Sequence, residues 1–200
     1  MHMRLICSAC DDEIRFLTKT NLGDSLICSL GIGYLDAALN LEKLIQSHTI
    51  TEIVFIGTAG SYTNLLEIGE LVSVSSSFAL NLGALLGFAY VPAKQESFNL
   101  EAFKDFKSAQ CFSSLEISQQ EIIAEKLISQ NQSEKYLVEN MELYGVAAVA
   151  KRHGIPLKAL LGITNYINHN AHEDWKANNL EVSEKLCVIA RNEMTKQSTC

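Results

Sequence analysis

TEIVFIG, residues 51–57, is a run of β-branched and apolar residues with almost no polar alternation. A strand with one wet face alternates. A near-continuous apolar run predicts a strand covered on both faces, as in the sheets of α/β proteins. The run ends in GTAGSY (57–62), which is small and polar. Working outward, similar runs recur at regular intervals. Upstream, Met3–Ser8 and Ser25–Ser29 read as strands. Asp11–Leu17 reads as the opening of a helix, with its acids at the end that the helix dipole favours. Leu35–Ser47 reads as a full helix, with Leu35, Ala38, Leu39, Leu41, Leu44 and Ile45 at helical spacing. Downstream, Glu70–Ser75, Phe88–Val91, Cys111–Ile117 and Tyr136–Val138 read as strands, and Gln119–Ser129 as a helix. Glu142–His153 reads as a helix stopped by Gly154 and Pro156. Leu157–Thr164 is a strand and Val182–Lys196 a closing helix, while residues 92–110 carry no assignable period. Strands alternating with helices predict one α/β domain over residues 1–200, with a mixed, largely parallel central sheet flanked by helices.

Two hundred residues, 48% hydrophobic and 20% charged, suffice for one globular core. The net charge is −7, and the four arginines (Arg4, Arg15, Arg152 and Arg191) are scattered. A nucleic-acid surface needs clustered cations, so no nucleic-acid partner is expected. Nor is a membrane: no apolar run approaches the length of a span, and nothing at the start reads as a secretory signal, so the expected location is cytoplasmic. Six cysteines (7, 10, 28, 111, 187 and 200) read as reduced thiols, mostly in or beside apolar segments. The spacing Cys7-x-x-Cys10 leaves open a redox pair or half a zinc site, with His169, His172 and Glu173 as partners. The simpler reading is two core thiols at a strand end, with no metal and no cofactor.

Ligands of open α/β sheets bind beyond the carboxyl ends of the strands, so those ends hold the candidate residues. GTAGSY (57–62) reads as a glycine-rich loop that cradles a sugar, base or phosphate, or as a tight turn. SLGIGYLDAA (29–38) reads as a close turn into a helix; it lacks the third glycine of a dinucleotide fingerprint and the Lys-Ser/Thr of a P-loop. ACDDEIR (9–15) places three carboxylates after the first strand; Asp11 and Asp12 suit solvent, while Glu13 points inward as a general base. VENME (138–142) puts Met141 and Glu142 at the mouth of an apolar helix, where a carboxylate can bind two adjacent hydroxyls or simply serve as a helix N-terminal acid. LLGITNYIN (160–168) ends its apolar run by presenting Asn165.

Together these ends resemble the purine nucleoside phosphorylase and nucleosidase superfamily. SACDDE (8–13) is similar to that family's GAMEEE start, IGTAGS (56–61) to its TGSAGG turn, and IGELVSV (68–74) to the strand that follows. ENMELYGVA (139–147) is similar to its VEMEaaaiA helix, and PLKALLGITN (156–165) to its strand ending in ISD. All five occur in order; the match is poor over about residues 80–135. The resemblance implies that Glu13 activates the attacking water and that Ala9, Thr58, Ala59 and Gly60 lie beside ribose and base. It implies that Met141 and Glu142 clamp the ribose and that Asn165 meets the purine N7, where many members have Asp. Asn140 stands where nucleosidases often have a first Glu. Segment 116–123 offers Ile122 and Ile123 where an aromatic stacks on the base; Tyr62, Tyr166 and Phe112 are the substitutes. The futalosine hydrolase branch has a similar Asn followed by a Trp, here Trp175, and His169, His172, Glu173 and Asp174 read as a loop or lid over the pocket. An amide both donates and accepts, which favours a 6-oxopurine nucleoside.

The function implied is N-glycosidic hydrolysis of a purine nucleoside. A phosphate-dependent phosphorylase is the alternative, disfavoured by the acids around Glu13 and the lack of arginines. A weakly catalytic nucleoside-binding protein on the same fold is the third reading. The resemblance also implies a homodimer or higher oligomer, with residues 78–91 as a candidate interface.

Overall fold

A computed structural model of the chain describes residues 3–17, 22, 25–93 and 95–197, with side chains as far as residue 192. The strands are β1 (Met3–Ser8), β2 (Ser25–Ser29), β3 (Ile50–Ser61), β4 (Leu71–Ala79), β5 (Phe98–Asn99), β6 (Lys107–Ser113), β7 (Leu137–Glu139) and β8 (Leu157–Tyr166). The helices are α1 (Asp11–Ile14), α2 (Tyr34–Ser47), α3 (Leu82–Leu85), α4 (Glu121–Gln130), α5 (Leu143–His153) and α6 (Ala171–Gln197). This is an α/β fold with one mixed sheet. Its order is β2-β1-β3-β7-β6-β4-β5, and β8 pairs with both β3 and β4. The ladders β3-β8-β4-β6-β7-β3 therefore close a circuit of five strands, a small barrel extended at β3 by β1 and β2.

TEIVFIG behaves as its composition dictates. Ile53 and Phe55 pack into a core with Leu41 of α2 and Val146 and Ala150 of α5. Val54 and Ile56 enter a second core with Val182, Leu186 and Ala190 of α6. Alternate side chains of one strand thus feed two cores, which requires the unbroken apolar run. The α2–α5 pair packs closely because residue 145 is glycine: a Cβ there would lie 1.9 Å from the Tyr34 carbonyl oxygen. Helix α5 stops where expected, with Gly154 at φ 65° donating its N–H to Ala150 and Lys151.

Several elements differ from the sequence reading. GTAGS is not a loop after a strand but the last five of the 12 residues of β3. Its partner β8 likewise runs on to Tyr166, and the register steps from Ala59–Ile163 to Gly60–Asn165, leaving Thr164 as a bulged residue. Closing the barrel needs such a bend, and a bulge re-aims the side chains that follow it. Phe88–Val91 forms no strand: α3 is followed by Gly87 at φ 81°, which turns the chain, and Phe88 and Tyr90 stand exposed. Residues 92–110 contain β5 and the start of β6. Helix α6 begins at Ala171, well before Val182, so the loop expected at 169–174 is largely its first turn. Its early turns are mostly solvated, so they lack the apolar period that marks a helix in sequence. No helix among the described residues is long and apolar enough to cross a membrane. Cys200 lies outside the described residues.

Candidate active site

The carboxyl ends of β1 and β8, the end of β3 and the β7–α5 junction meet at one pocket. Ala9, Glu13, Thr58, Ala59, Gly60, Met141, Glu142 and Asn165 all line it. Eight residues scattered over 157 positions of sequence are brought together by three facts of topology. Strand β3 pairs parallel with both β1 and β8, and it pairs antiparallel with β7 through Gly60–Glu139 and Ser61–Val138.

Glu13 sits on the single turn α1, which turns it under the sheet while Asp11 and Asp12 face solvent. Thr58 donates to Glu13 Oε1 twice, from its backbone N–H and its hydroxyl, each at 2.8 Å. The Ala9 N–H donates to Oε2 at 3.1 Å. Burial raises the Glu13 carboxyl above the ordinary carboxylate range, and these donors oppose the shift. The result is a fixed, desolvated carboxylate with lone-pair capacity left on Oε2, as a general base needs.

Glu142 caps the start of α5 and accepts the Gly33 N–H on Oε1 at 2.8 Å. The turn LGIGY thus serves the site indirectly: Gly33 at φ 87° aims its amide at Glu142, and Ile32 lines the pocket. Burial, reinforced by the charge on Glu13, pushes the Glu142 carboxyl up to about 7. Asn140 is structural. Its Oδ1 accepts the N–H groups of Glu142 and Leu143, and its Nδ2 donates to the Thr58 carbonyl at 3.1 Å. An amide suits this place better than a carboxylate, because one of its contacts requires a donor.

Asn165 follows the bulge. Its Nδ2 donates to the Tyr166 carbonyl at 3.3 Å, and its Oδ1 lies 3.0 Å from the Thr164 hydroxyl, which also reaches the Ala59 carbonyl at 3.2 Å. The Tyr166 carbonyl, which can only accept, sets the NH₂ end of the amide. Gly60 makes room for it: a Cβ there would lie 2.8 Å from Asn165 Nδ2. The glycine thus accommodates the side chain beside it while itself lining the pocket.

Sequence reasoning missed part of the pocket wall. Glu139, the residue before Asn140, lines it and accepts from the Tyr62 hydroxyl at 2.7 Å, from the Ser118 N–H at 2.9 Å, and from the Ser118 hydroxyl. This anchors segment 114–118 and with it Ile117, which faces the pocket. Tyr62 therefore spends its hydroxyl on Glu139, and Phe112 stacks on Phe78 at 5.0 Å between centroids, so neither forms the wall where a base would stack; Tyr166 also turns away, donating to the Leu66 carbonyl. The aromatic wall comes instead from α6. Trp175 and His172 line the pocket, with rings near parallel (7°) and centroids 5.8 Å apart. The sequence singles out Trp175 as the tryptophan that follows Asn165 and His172 as part of a lid, but marks neither as the aromatic wall. Cys10 reaches the pocket while Cys7 is fully buried in β1, and among the described residues no group of three His, Cys, Asp or Glu is gathered as a metal cage.

The site is thus a pocket at the end of a barrel-extended α/β sheet, lined by carboxylates and an amide from its strand ends. The profile of the Phosphorylase superfamily matches residues 14–115, just over half the chain, and the chain belongs to that family. No curated protein matches it in sequence. Among solved structures, it is similar to a Helicobacter pylori 5′-methylthioadenosine/S-adenosylhomocysteine nucleosidase variant holding 5′-methylthioadenosine. The identity is 16% and the TM-score 0.82, over 98% of this chain and 99% of that one. It is similar to a futalosine hydrolase mutant from the same organism at 17% identity and TM-score 0.82, over 98% and 100%. It is also similar to the Streptococcus pneumoniae 5′-methylthioadenosine/S-adenosylhomocysteine nucleosidase with a transition-state inhibitor, at 14% and 0.81, over 96% and 98%. At these identities the likeness establishes the fold.

Proposed function

We propose that this chain is a purine nucleosidase, hydrolysing the N-glycosidic bond of a 6-oxopurine nucleoside. The observation that carries the reading is the composition of the pocket. Glu13, Glu139 and Glu142 line it, and no lysine or arginine does so among the described residues. Inorganic phosphate would meet three carboxylates and no guanidinium fork. Water would meet a held general base.

In this mechanism Glu142 accepts hydrogen bonds from the ribose hydroxyls and Met141 packs on the sugar. Glu13 Oε2 takes a proton from water as the water oxygen bonds to C1′. The electron pair of the glycosidic bond leaves with the purine, which departs as its N7–H form after gaining a proton from solvent. Asn165 Oδ1 accepts from that N7–H, and Nδ2 donates its second hydrogen to O6. An amide flip that would suit a 6-amino group is opposed by the Tyr166 carbonyl, which holds Nδ2.

The test is release of free base from inosine-, guanosine-, adenosine-, 5′-methylthioadenosine- and futalosine-type nucleosides, with and without phosphate. Hypoxanthine or guanine should appear at the same rate in both. Strict dependence on phosphate would replace this reading with the phosphorylase one, and binding without turnover would favour a nucleoside-binding protein. A pH dependence is also expected. Below about 7 the Glu142 carboxyl holds its proton, and above it the carboxylate is the stronger acceptor for the ribose hydroxyls. KM should therefore fall as pH rises through about 7, and Glu142→Gln should flatten that limb. A KM that is level across this range in the unaltered protein would remove Glu142 from the ribose clamp.

A further inference from the structure

We propose that Trp175 is a positioning residue for the reaction: through the Thr58 hydroxyl, its indole N–H fixes the Glu13 carboxylate with one oxygen held and the other presented to water. This rests on the nucleosidase reading above.

Trp175 Nε1 donates to Thr58 Oγ1 at 3.1 Å, and Thr58 Oγ1 donates to Glu13 Oε1 at 2.8 Å. An indole nitrogen has no acceptor capacity, so the direction of this chain is fixed. Trp175 occupies one lone pair of the Thr58 hydroxyl and orients it, and the single hydroxyl hydrogen goes to Glu13. The Thr58 N–H occupies the same carboxylate oxygen. Oε1 is thereby a double acceptor throughout, and Oε2, which accepts the Ala9 N–H, is the oxygen turned to the proton of the attacking water, with the Cys10 N–H also bonded to this carboxylate. That proton has one destination as the water oxygen bonds to C1′ and the purine leaves with the glycosidic electron pair.

The indole is itself held in register with the sheet. His172 lies parallel to it, and Asn178 of α6 donates to the Thr164 carbonyl at 3.0 Å, tying the helix to the bulge of β8. A wall for the ligand needs only a flat ring, which Phe would supply. The N–H aimed at Thr58 is the feature a wall does not require. The chain reaches Glu13 from α6, an element joined to α1 and β3 only by tertiary packing.

The experiment measures kcat and KM for base release from inosine with the full chain and its Trp175→Phe, Thr58→Val and double variants. Trp175→Phe should lower kcat about 5–10-fold, the effect of one lost hydrogen bond, with KM unchanged within about twofold. In the Thr58→Val background the same change should cost nothing further, because the relay is already cut. Thermal midpoints establish that each variant is folded. Binding by the unaltered protein is read from fluorescence of this sole tryptophan, independently of turnover. An unchanged kcat in Trp175→Phe, a rise in KM alone, or effects that multiply in the double variant would overturn the inference while the nucleosidase reading stands. Failure of the unaltered protein to release base from any nucleoside would overturn both.

Discussion

Glu13→Gln is expected to lower kcat for base release by roughly 10²–10⁴-fold, the usual contribution of a positioned general base. The isosteric change keeps the volume of a buried side chain, so the fold should survive. It removes the basic oxygen and also disrupts the surroundings of the side chain. The groups that contact the carboxylate (the Thr58 N–H and hydroxyl, and the Ala9 and Cys10 N–H groups) are all donors. Gln brings an NH₂ into this ring, and at least one contact becomes donor against donor. Nucleoside affinity should change much less, because Glu142, Met141 and Asn165 remain in place. Single-turnover base release gives the rate, and ligand-induced change in Trp175 fluorescence gives the binding. A variant releasing base at a tenth of the original rate or faster would remove Glu13 from the role of base.

Asn165→Asp is expected to lower kcat/KM for a 6-oxopurine nucleoside by roughly 10–150-fold, the range for hydrogen bonds to charged groups. The amide nitrogen that donates to O6 becomes a carboxylate oxygen, so two acceptors face each other. The Tyr166 carbonyl loses its donor at the same time. A 6-aminopurine, whose exocyclic group donates, should be penalised less or should gain. The ratio of kcat/KM for inosine to that for adenosine is the quantity to follow, since it cancels general damage to the site. A ratio left unchanged would mean that Asn165 does not read the 6-position and that specificity lies elsewhere on the pocket wall.

The two replacements separate chemistry from recognition. Loss of rate on every nucleoside with Glu13→Gln, beside a change of preference with Asn165→Asp, is the pattern the geometry demands. It arises because the two side chains reach the pocket from opposite neighbours of β3, one beyond β1 and one on β8.

Some of this protein was determined by local sequence. TEIVFIG had to be covered on both faces because it offers no polar side to water, and that made the fold α/β. Gly154 and Pro156 had to end α5 because one supplies φ > 0° and the other cannot continue a helix. The acids of ACDDEIR divide as a single helical turn divides them, with Glu13 inward and its neighbours outward. All eight expected site residues line the pocket: those on β3 and β8 or just beyond β1 because the ends of parallel strands lie on one edge, Met141 and Glu142 because β7 pairs antiparallel with the end of β3. Tertiary structure decided the rest. The five-strand closure bulges β8 at Thr164, and no single-strand pattern records pairing with two partners. GTAGS reads as a loop by its small residues, yet it is strand, because its glycines are needed by Asn140, Asn165 and Phe55 packed beside them. Glu139 is isolated in sequence and becomes a buried anchor only when Tyr62 and Ser118 fold onto it. Trp175 is marked in the sequence only by its place after Asn165. It gains its meaning when α6 lies across the sheet and sets its N–H on Thr58, since a hydrogen bond spanning 117 positions depends on packing rather than on local propensity.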